Sequence, residues 1–186
     1  VTHIDYRKLG YNSCHVYYKT QNLLQPVEED FYSYLVGLKE VAYVARIEGS
    51  FDAYLVILYK NNEELDLVLT KITKKFGENI KERRIISVVH AQYFGRRYLV
   101  KGKHPFSEPV IRRDPKEVAK LDITDQRILN VLSQNARMQA VEISAKLGIS
   151  KDVVHYRMKK LSKEGILQKF SIDVNHEKMG YSFFKI

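Results

Sequence analysis

Cysteine is nearly absent: Cys14 stands alone in 186 residues. One thiol cannot close an internal disulfide or supply a multi-thiolate metal site, and it fits a reducing cytoplasm. As a small apolar side chain, Cys14 is expected in a core. No apolar run approaches the roughly 18 residues that a membrane span requires. The longest, Tyr54 to Tyr59, suits a buried strand, so no membrane partner is expected. The six histidines (His3, His15, His90, His104, His155 and His176) include no pair at zinc-helix spacing. Gly49, Gly77 and Gly95 are isolated and form no phosphate loop. The acids Glu28, Glu29 and Asp30 open a helical pattern, where they offset the helix dipole. No catalytic residues, cofactor or metal are therefore expected. Proline is scarce and clustered: Pro105, Pro109 and Pro115, three of the four, fall within Tyr98 to Lys120. Proline resists helix interiors and sheet centres, so 98–120 reads as a linker or extended arm.

What the chain does have is positive charge. The formal net charge is +9 and the pI about 9.4, a balance that favours an anionic partner, above all nucleic acid. An apolar fraction of 45% leaves enough side chain to bury a core. Residues 1–97 are nearly balanced, with 14 bases and 12 acids, whereas the shorter 122–186 segment has 11 and 7. The anion-binding surface is expected in the latter.

Residues 1–97 alternate between two periods. Asn12 to Lys19 suits a strand. Val27, Phe31, Leu35 and Leu38 share one helix face. Val41 to Ile47 and Phe51 to Tyr59 form a hairpin about Glu48-Gly49-Ser50. Leu65, Val68, Ile72 and Phe76 mark a second helix, ended by Gly77, and a last strand runs over about Arg84 to Phe94. Strand, helix, strand, strand, helix, strand is the ferredoxin-like βαββαβ arrangement, whose edges and open face invite pairing with a second copy. That fold fixes no activity.

Leu121 to Leu167 reads as three helices. The first starts near Asp122 or Thr124 and buries Ile128, Val131 and Leu132; the second, over about 139–147, carries Val141, Ile143 and Leu147. Gly148-Ile149-Ser150 is a turn in which Ser150 caps the third helix. In that third helix, Val154, Met158 and Leu161 form an apolar stripe. Asp152, His155, Tyr156, Lys159 and Lys163 lie opposite. Two helices about a Gly turn, the second basic and outward, is the helix-turn-helix layout. Candidate DNA contacts are Ser150, Lys151, Asp152, His155, Tyr156, Arg157, Lys159 and Lys160. Arg157 flanks the stripe and suits an ion pair with an acid on a neighbouring helix nearly as well as a phosphate contact.

The residues from Leu121 to Leu167 resemble the DNA-binding domain of the prokaryotic Lrp/AsnC transcriptional regulators. Leu121, Asp122, Asp125, Ile128, Leu129, Asn135, Arg137, Leu147, Gly148, Ser150, Val154, Arg157, Leu161 and Gly165 match that family's pattern. Val153 and Ser144 depart from its usual Ser/Thr and Ala. The resemblance implies a winged helix-turn-helix domain over 121–170 and a RAM-type effector module of ferredoxin-like fold, which residues 1–97 resemble. It also implies double-stranded DNA as partner, a homo-oligomer through the RAM-like module, a cytoplasmic location, and an amino acid or similar effector near Gly49 and Asp52. Gly49 serves equally well as a plain turn residue. The fold class expected is thus α+β, a ferredoxin-like domain followed by a winged helix-turn-helix domain. A non-specific architectural DNA binder remains the alternative function.

A repeat accounts for the module order. Ile4 to Tyr11 and Val174 to Tyr181 align at a constant offset of 170, with Lys8, Gly10 and Tyr11 recurring as Lys178, Gly180 and Tyr181. The chain is expected to be part of a tandem protein, with 171–186 opening a second RAM-like module.

Overall fold

The computed structural model describes residues 1–89, 91–93, 110–112, 118–172, 178 and 180. Most of the expected linker at 98–120, Gly95-Arg96-Arg97, and most of the second module's start at 171–186 lie outside the described residues. In chain order the elements are β1 (Thr2–Ile4), β2 (Asn12–Thr20), α1 (Val27–Gly37), β3 (Val41–Arg46), β4 (Ala53–Tyr59), α2 (Asn62–Phe76), β5 (Ile80–Ser87), β6 (Ala91–Tyr93), β7 (Val110–Arg112), α3 (Ile123–Gln134), α4 (Ala140–Leu147), α5 (Lys151–Lys163) and β8 (Leu167–Phe170). They divide into two compact units: residues 10–117, and residues 1–9 with 118–186.

The sheet unit has four antiparallel strands in the order β3-β4-β2-β5. With α1 after β2 and α2 after β4, this is the ferredoxin-like βαββαβ topology. Alternation along the strands sorts the side chains. Val16 and Tyr18 of β2 and Leu55 and Ile57 of β4 are buried with Phe31 and Leu35 of α1 and Ile72 and Phe76 of α2. Cys14 belongs to that core, and burial pushes its thiol up to about 11. Asn61 caps α2 by accepting from the Glu64 N–H at 2.9 Å. The other sheet face bears a ring cluster. Tyr54 lies 5.3 Å from His15, 5.1 Å from Tyr17 and 5.9 Å from Tyr43 between ring centroids.

Two expectations for this unit need correction. The last strand is Ile80–Ser87 rather than 84–94, with β6 a separate strand paired to β7. The charged run Lys81 to Arg84 hides its beginning. Such a run is tolerated because β5 is an edge strand, exposed from Lys81 to Ser87. Val27, expected on the buried face of α1, is 39% exposed because it is the first residue of that helix.

In the second unit, α3, α4 and α5 enclose Ile128, Leu132, Ile143, Val154, Leu161 and Ile166, none of them exposed. Val141 was expected with Ile143, yet it is 56% exposed. At about 100° per residue the two positions are about 200° apart, so they cannot share a face. The wing is β8 with β1 as its antiparallel partner: Thr2 faces Phe170, His3 faces Lys169 and Ile4 faces Leu167. Residues 1–9 therefore group with 118–186 and not with the sheet unit, a division that differs from the 1–97 module read in the sequence. Asp5, 5% exposed, holds this segment in place. Its N–H donates to the Ile166 carbonyl at 2.8 Å, and its carboxylate accepts from Arg7 and from Gln168. The Ala119 N–H donates to the Lys8 carbonyl at 2.7 Å, joining the same segment to the approach to α3.

Candidate nucleic-acid interface

The turn ahead of α5 is fastened by several bonds. Gly148 adopts a left-handed conformation (φ 67°, ψ 35°), which costs glycine no Cβ clash. Its N–H and that of Ile149 both donate to the Ser144 carbonyl, at 2.9 and 3.2 Å. The Ser144 hydroxyl in turn donates to the Ile149 carbonyl at 2.6 Å. An alanine at 144 could not make that last bond. Ser150 caps α5, its hydroxyl accepting from the Val153 N–H at 3.3 Å. Asp152 sits in the first turn, where the helix dipole favours a carboxylate.

α5 then has two unlike sides. Val154 and Leu161 are fully buried and Met158 packs against them. Lys151, Asp152, His155, Tyr156, Lys159 and Lys163 are exposed, Tyr156 to 66%. The predicted contact residues thus fall into two groups. Lys151, Asp152, His155, Tyr156 and Lys159 come together on the open side. Ser150 is the helix cap, and Arg157 and Lys160 turn toward α3. The Arg157 guanidinium pairs with Asp122 and lies 3.3 Å from Asp125, while the Lys160 ammonium reaches Asp125 at 3.3 Å. Asp125 has no exposed side-chain surface. The backbone N–H of Asp125, with help from Arg157, holds the Asp122 carboxyl below its usual 3.8. Partial desolvation works against the Arg157 charge, but Asp122 and Asp125 outweigh it and raise the guanidinium's pKa.

An open groove of about 330 Å³ between α5 and the wing is lined by His155, Lys159, Ser162, Lys169 and Phe170, among others. Lys169 escaped the sequence reading because nothing in the local pattern of 167–170 marks a wing strand. The chain reversal at Gly165 returns β8 alongside α5 and so brings Lys169 to the groove.

Gly49 and Asp52 both lie in the β3–β4 loop, where each accepts from the Lys19 ammonium. Gly49 has φ 120°, a conformation that side chains resist. Its carbonyl accepts from the Lys19 ammonium at 3.5 Å. Burial works to raise the Asp52 carboxyl, but bonds from the Thr20 N–H (2.7 Å), the Thr20 hydroxyl (3.0 Å) and Lys19 (2.9 Å) hold it below 3.8. Asp52 also donates its own N–H to the Tyr18 carbonyl at 2.9 Å, so it anchors the hairpin to β2. Among the described residues, no group of three His, Cys, Asp or Glu is placed to hold a metal ion. Among them also, no helix is long and apolar enough to cross a membrane.

Comparison with known proteins places this geometry. Residues 121–168 match the winged helix-turn-helix DNA-binding family. An uncharacterised HTH-type transcriptional regulator of Pyrococcus horikoshii is 48% identical over 59 residues, 32% of this chain and 39% of that protein. The HTH-type transcriptional regulator LrpA of the same organism is 42% identical over 66 residues, 36% of this chain and 47% of that protein. The chain thus spans less than half the length of these curated relatives. The resemblance to Lrp/AsnC regulators is borne out, and the helix-turn-helix segment carries it. Among solved structures, the siroheme decarboxylase NirDL in co-complex with an iron-uroporphyrin III analogue aligns over 91% of this chain and 48% of its own. Its TM-score is 0.56 and its sequence identity 16%. That likeness is one of fold alone.

Proposed function

We propose that this chain is part of a sequence-specific, DNA-binding transcriptional regulator of the Lrp/AsnC type, cytoplasmic and not itself an enzyme. The observation that carries the reading is the open side of α5: Lys151, His155, Tyr156 and Lys159 exposed behind a capped turn, with the apolar stripe buried. A helix of this kind enters the major groove and its first turns face base edges. His155 and Tyr156 then read sequence. Asp152 stabilises the helix start and is placed to accept from a cytosine amino group. Lys151 and Lys159 neutralise phosphates and release counterions. Arg157 and Lys160, engaged by Asp122 and Asp125, set the angle at which α5 leaves the bundle.

In the same reading, the RAM-like sheet unit associates with a second copy through its open face, where Tyr43 is 55% and Ile86 47% exposed. An amino acid or a similar small molecule acts near the loop of Gly49 and Asp52. An amino acid that binds the native state should raise the melting temperature, and at a hundred times its dissociation constant it adds about 2.7 kcal/mol. A thermal-shift screen of the common amino acids with no response removes the effector from the proposal.

DNA reading is tested with the intact protein and a sequence it selects from a random pool. Affinity for that sequence should exceed affinity for random DNA by roughly a thousandfold or more. An architectural binder would show little difference. Lys159→Ala should weaken binding to all sequences and make the salt dependence shallower by about one unit of slope. His155→Ala should shift preference at one base pair by about 1–3 kcal/mol. Neither should move the melting temperature. If both leave affinity, slope and preference unchanged, α5 is not the reading head.

A further inference from the structure

The shoulder of α5 that faces the wing is set apart by angle and by charge. At about 100° per residue, His155, Met158, Lys159 and Ser162 share an arc of roughly 100°, running from the edge of the buried stripe to the open side. Gly165, at φ 69°, reverses the chain, and the Ile166 N–H closes the turn on the Leu161 carbonyl at 2.9 Å. β8 then runs back beside that shoulder. The result is the open groove of about 330 Å³, with His155, Lys159 and Ser162 on one bank and Lys169 and Phe170 on the other. Its floor is apolar, made by Met158 and by Leu167, which is 4% exposed. Among the described residues, no acid lines it.

The cations of this groove are unspent. Arg157 and Lys160, beyond the other edge of the stripe, are engaged by Asp122 and Asp125. Among the described residues, neither Lys159 nor Lys169 is paired with an acid. The bank that carries Lys169 is also held firmly. Lys169 lies opposite His3 in the β1–β8 ladder. The Gln168 carboxamide donates to Asp5 at 3.2 Å, and the Asp5 N–H donates to the Ile166 carbonyl. A cation on a fixed strand loses little more than its own side-chain freedom when it binds.

The lining suits one chemical unit. Two ammonium groups and a hydroxyl match a phosphate, and the Met158 and Phe170 side chains match the apolar face of a deoxyribose. The groove is continuous with the side of α5 that faces base edges, because His155 and Lys159 belong to both. We propose, on the reading of α5 as the DNA-reading helix, that this groove seats one sugar–phosphate unit of the same duplex, gripped by Lys169 across from Lys159 and Ser162. Phosphate contacts fix register and carry no sequence information directly. Lys169 is thus a positioning residue. It holds the backbone beside the base pair that faces His155 and sets how α5 enters the major groove.

The test uses the full chain, the sequence it selects and random DNA. Lys169→Ala should weaken binding to both alike and make the salt dependence shallower by about one unit of slope. Between about 50 and 200 mM salt, the unaltered protein should then lose about threefold more affinity than the variant. Lys169→Arg should restore the slope. Single methylphosphonates, which remove one phosphate charge at a time, locate the contact in the selected duplex. One of them should weaken the unaltered protein several-fold and leave Lys169→Ala binding as it does the unmodified duplex. Its position should adjoin the base pair whose preference His155→Ala shifts. Suppose Lys159→Ala and His155→Ala act as stated, while Lys169→Ala leaves affinity and slope unchanged or every methylphosphonate weakens it as it weakens the unaltered protein. The groove then seats no phosphate, and α5 remains the reading head. A change of sequence preference in Lys169→Ala would mean a base contact and overturns the proposal too. If none of the three substitutions has an effect, the reading of α5 falls and the groove with it. Should Lys169→Ala disturb the fold, Lys169→Gln, which keeps the stem and removes the charge, takes its place in the same comparisons.

Discussion

The sheet unit and the winged unit draw on the same charged residues and dispose of them in opposite ways. In residues 10–117, acids and bases pair at the rim: Lys75 with Asp30 at 2.9 Å, Arg46 with Glu28 at 3.4 Å, Lys19 with Asp52 at 2.9 Å. Pairs that stand in water contribute little stability and leave a surface of mixed sign. In the winged unit, two acids turn inward. Asp125 is fully buried and Asp5 nearly so. They consume Arg157, Lys160 and Arg7 inside the fold. The remaining bases of α5, Lys151, Lys159 and Lys163, face solvent on one side of that helix, with Asp152 the one acid on that side. A positive face thus arises less from an excess of lysine than from where the acids are buried.

The largest effect expected from that contrast concerns independence. Leu161→Ala removes a fully buried side chain of the winged unit and should cost it about 2–5 kcal/mol. Calorimetry should show one transition lowered and the other, from the sheet unit, in place. A single transition moving as a whole would break the comparison. Asp125→Ala should cost about 1–3 kcal/mol, less than a fully buried pair would, because Arg157 and Lys160 keep 25% and 31% exposure. It should also release Lys160, while Arg157 keeps its pair with Asp122, so DNA affinity at low salt should rise and the salt dependence steepen. Unchanged binding would mean that the inward acids do not shape the basic face. The smallest effect is acid sensitivity. Asp52 in one unit and Asp122 in the other have carboxyls held below 3.8. Each contributes stability that is complete above about 3.8 and is lost as pH falls through the lower folded value. Melting followed from pH 5 downward should show both units weakening below about pH 4, and Asp122→Asn should flatten that trend in the winged unit alone.

Much of this architecture was legible because it is written in short-range pattern. The periods of α1, α2 and α5 and the Gly148-Ser150 turn need only neighbours to be recognised. Residues whose partners lie far along the chain were not legible. Asp125 stands in the sequence only as one position of a family pattern, and its partners Arg157 and Lys160 lie some thirty residues on. Asp5 and Arg7 read as part of a module start until Gln168 and the Ile166 carbonyl close on them. The strand β5 was misplaced because tolerance for Lys81 to Arg84 depends on its being an edge, a property of the sheet and not of the segment. Of the candidate site, the open side of α5 followed from angle alone. The roles of Arg157 and Lys160 needed to know which way α3 presents its acids.

Gly165 closes α5 in a left-handed conformation, and the space where its side chain would begin is already taken: a Cβ there would sit 3.2 Å from the Lys8 ammonium. Lys8 in turn donates to the carbonyl of Glu164. The end of the reading helix therefore works as a latch whose bolt belongs to the chain's opening segment, the stretch that runs straight on through Gly10 into β2. A methyl group at 165 would strain that left-handed turn and push the bolt aside by a few tenths of an ångström, while leaving every residue on the exposed side of α5 unaltered.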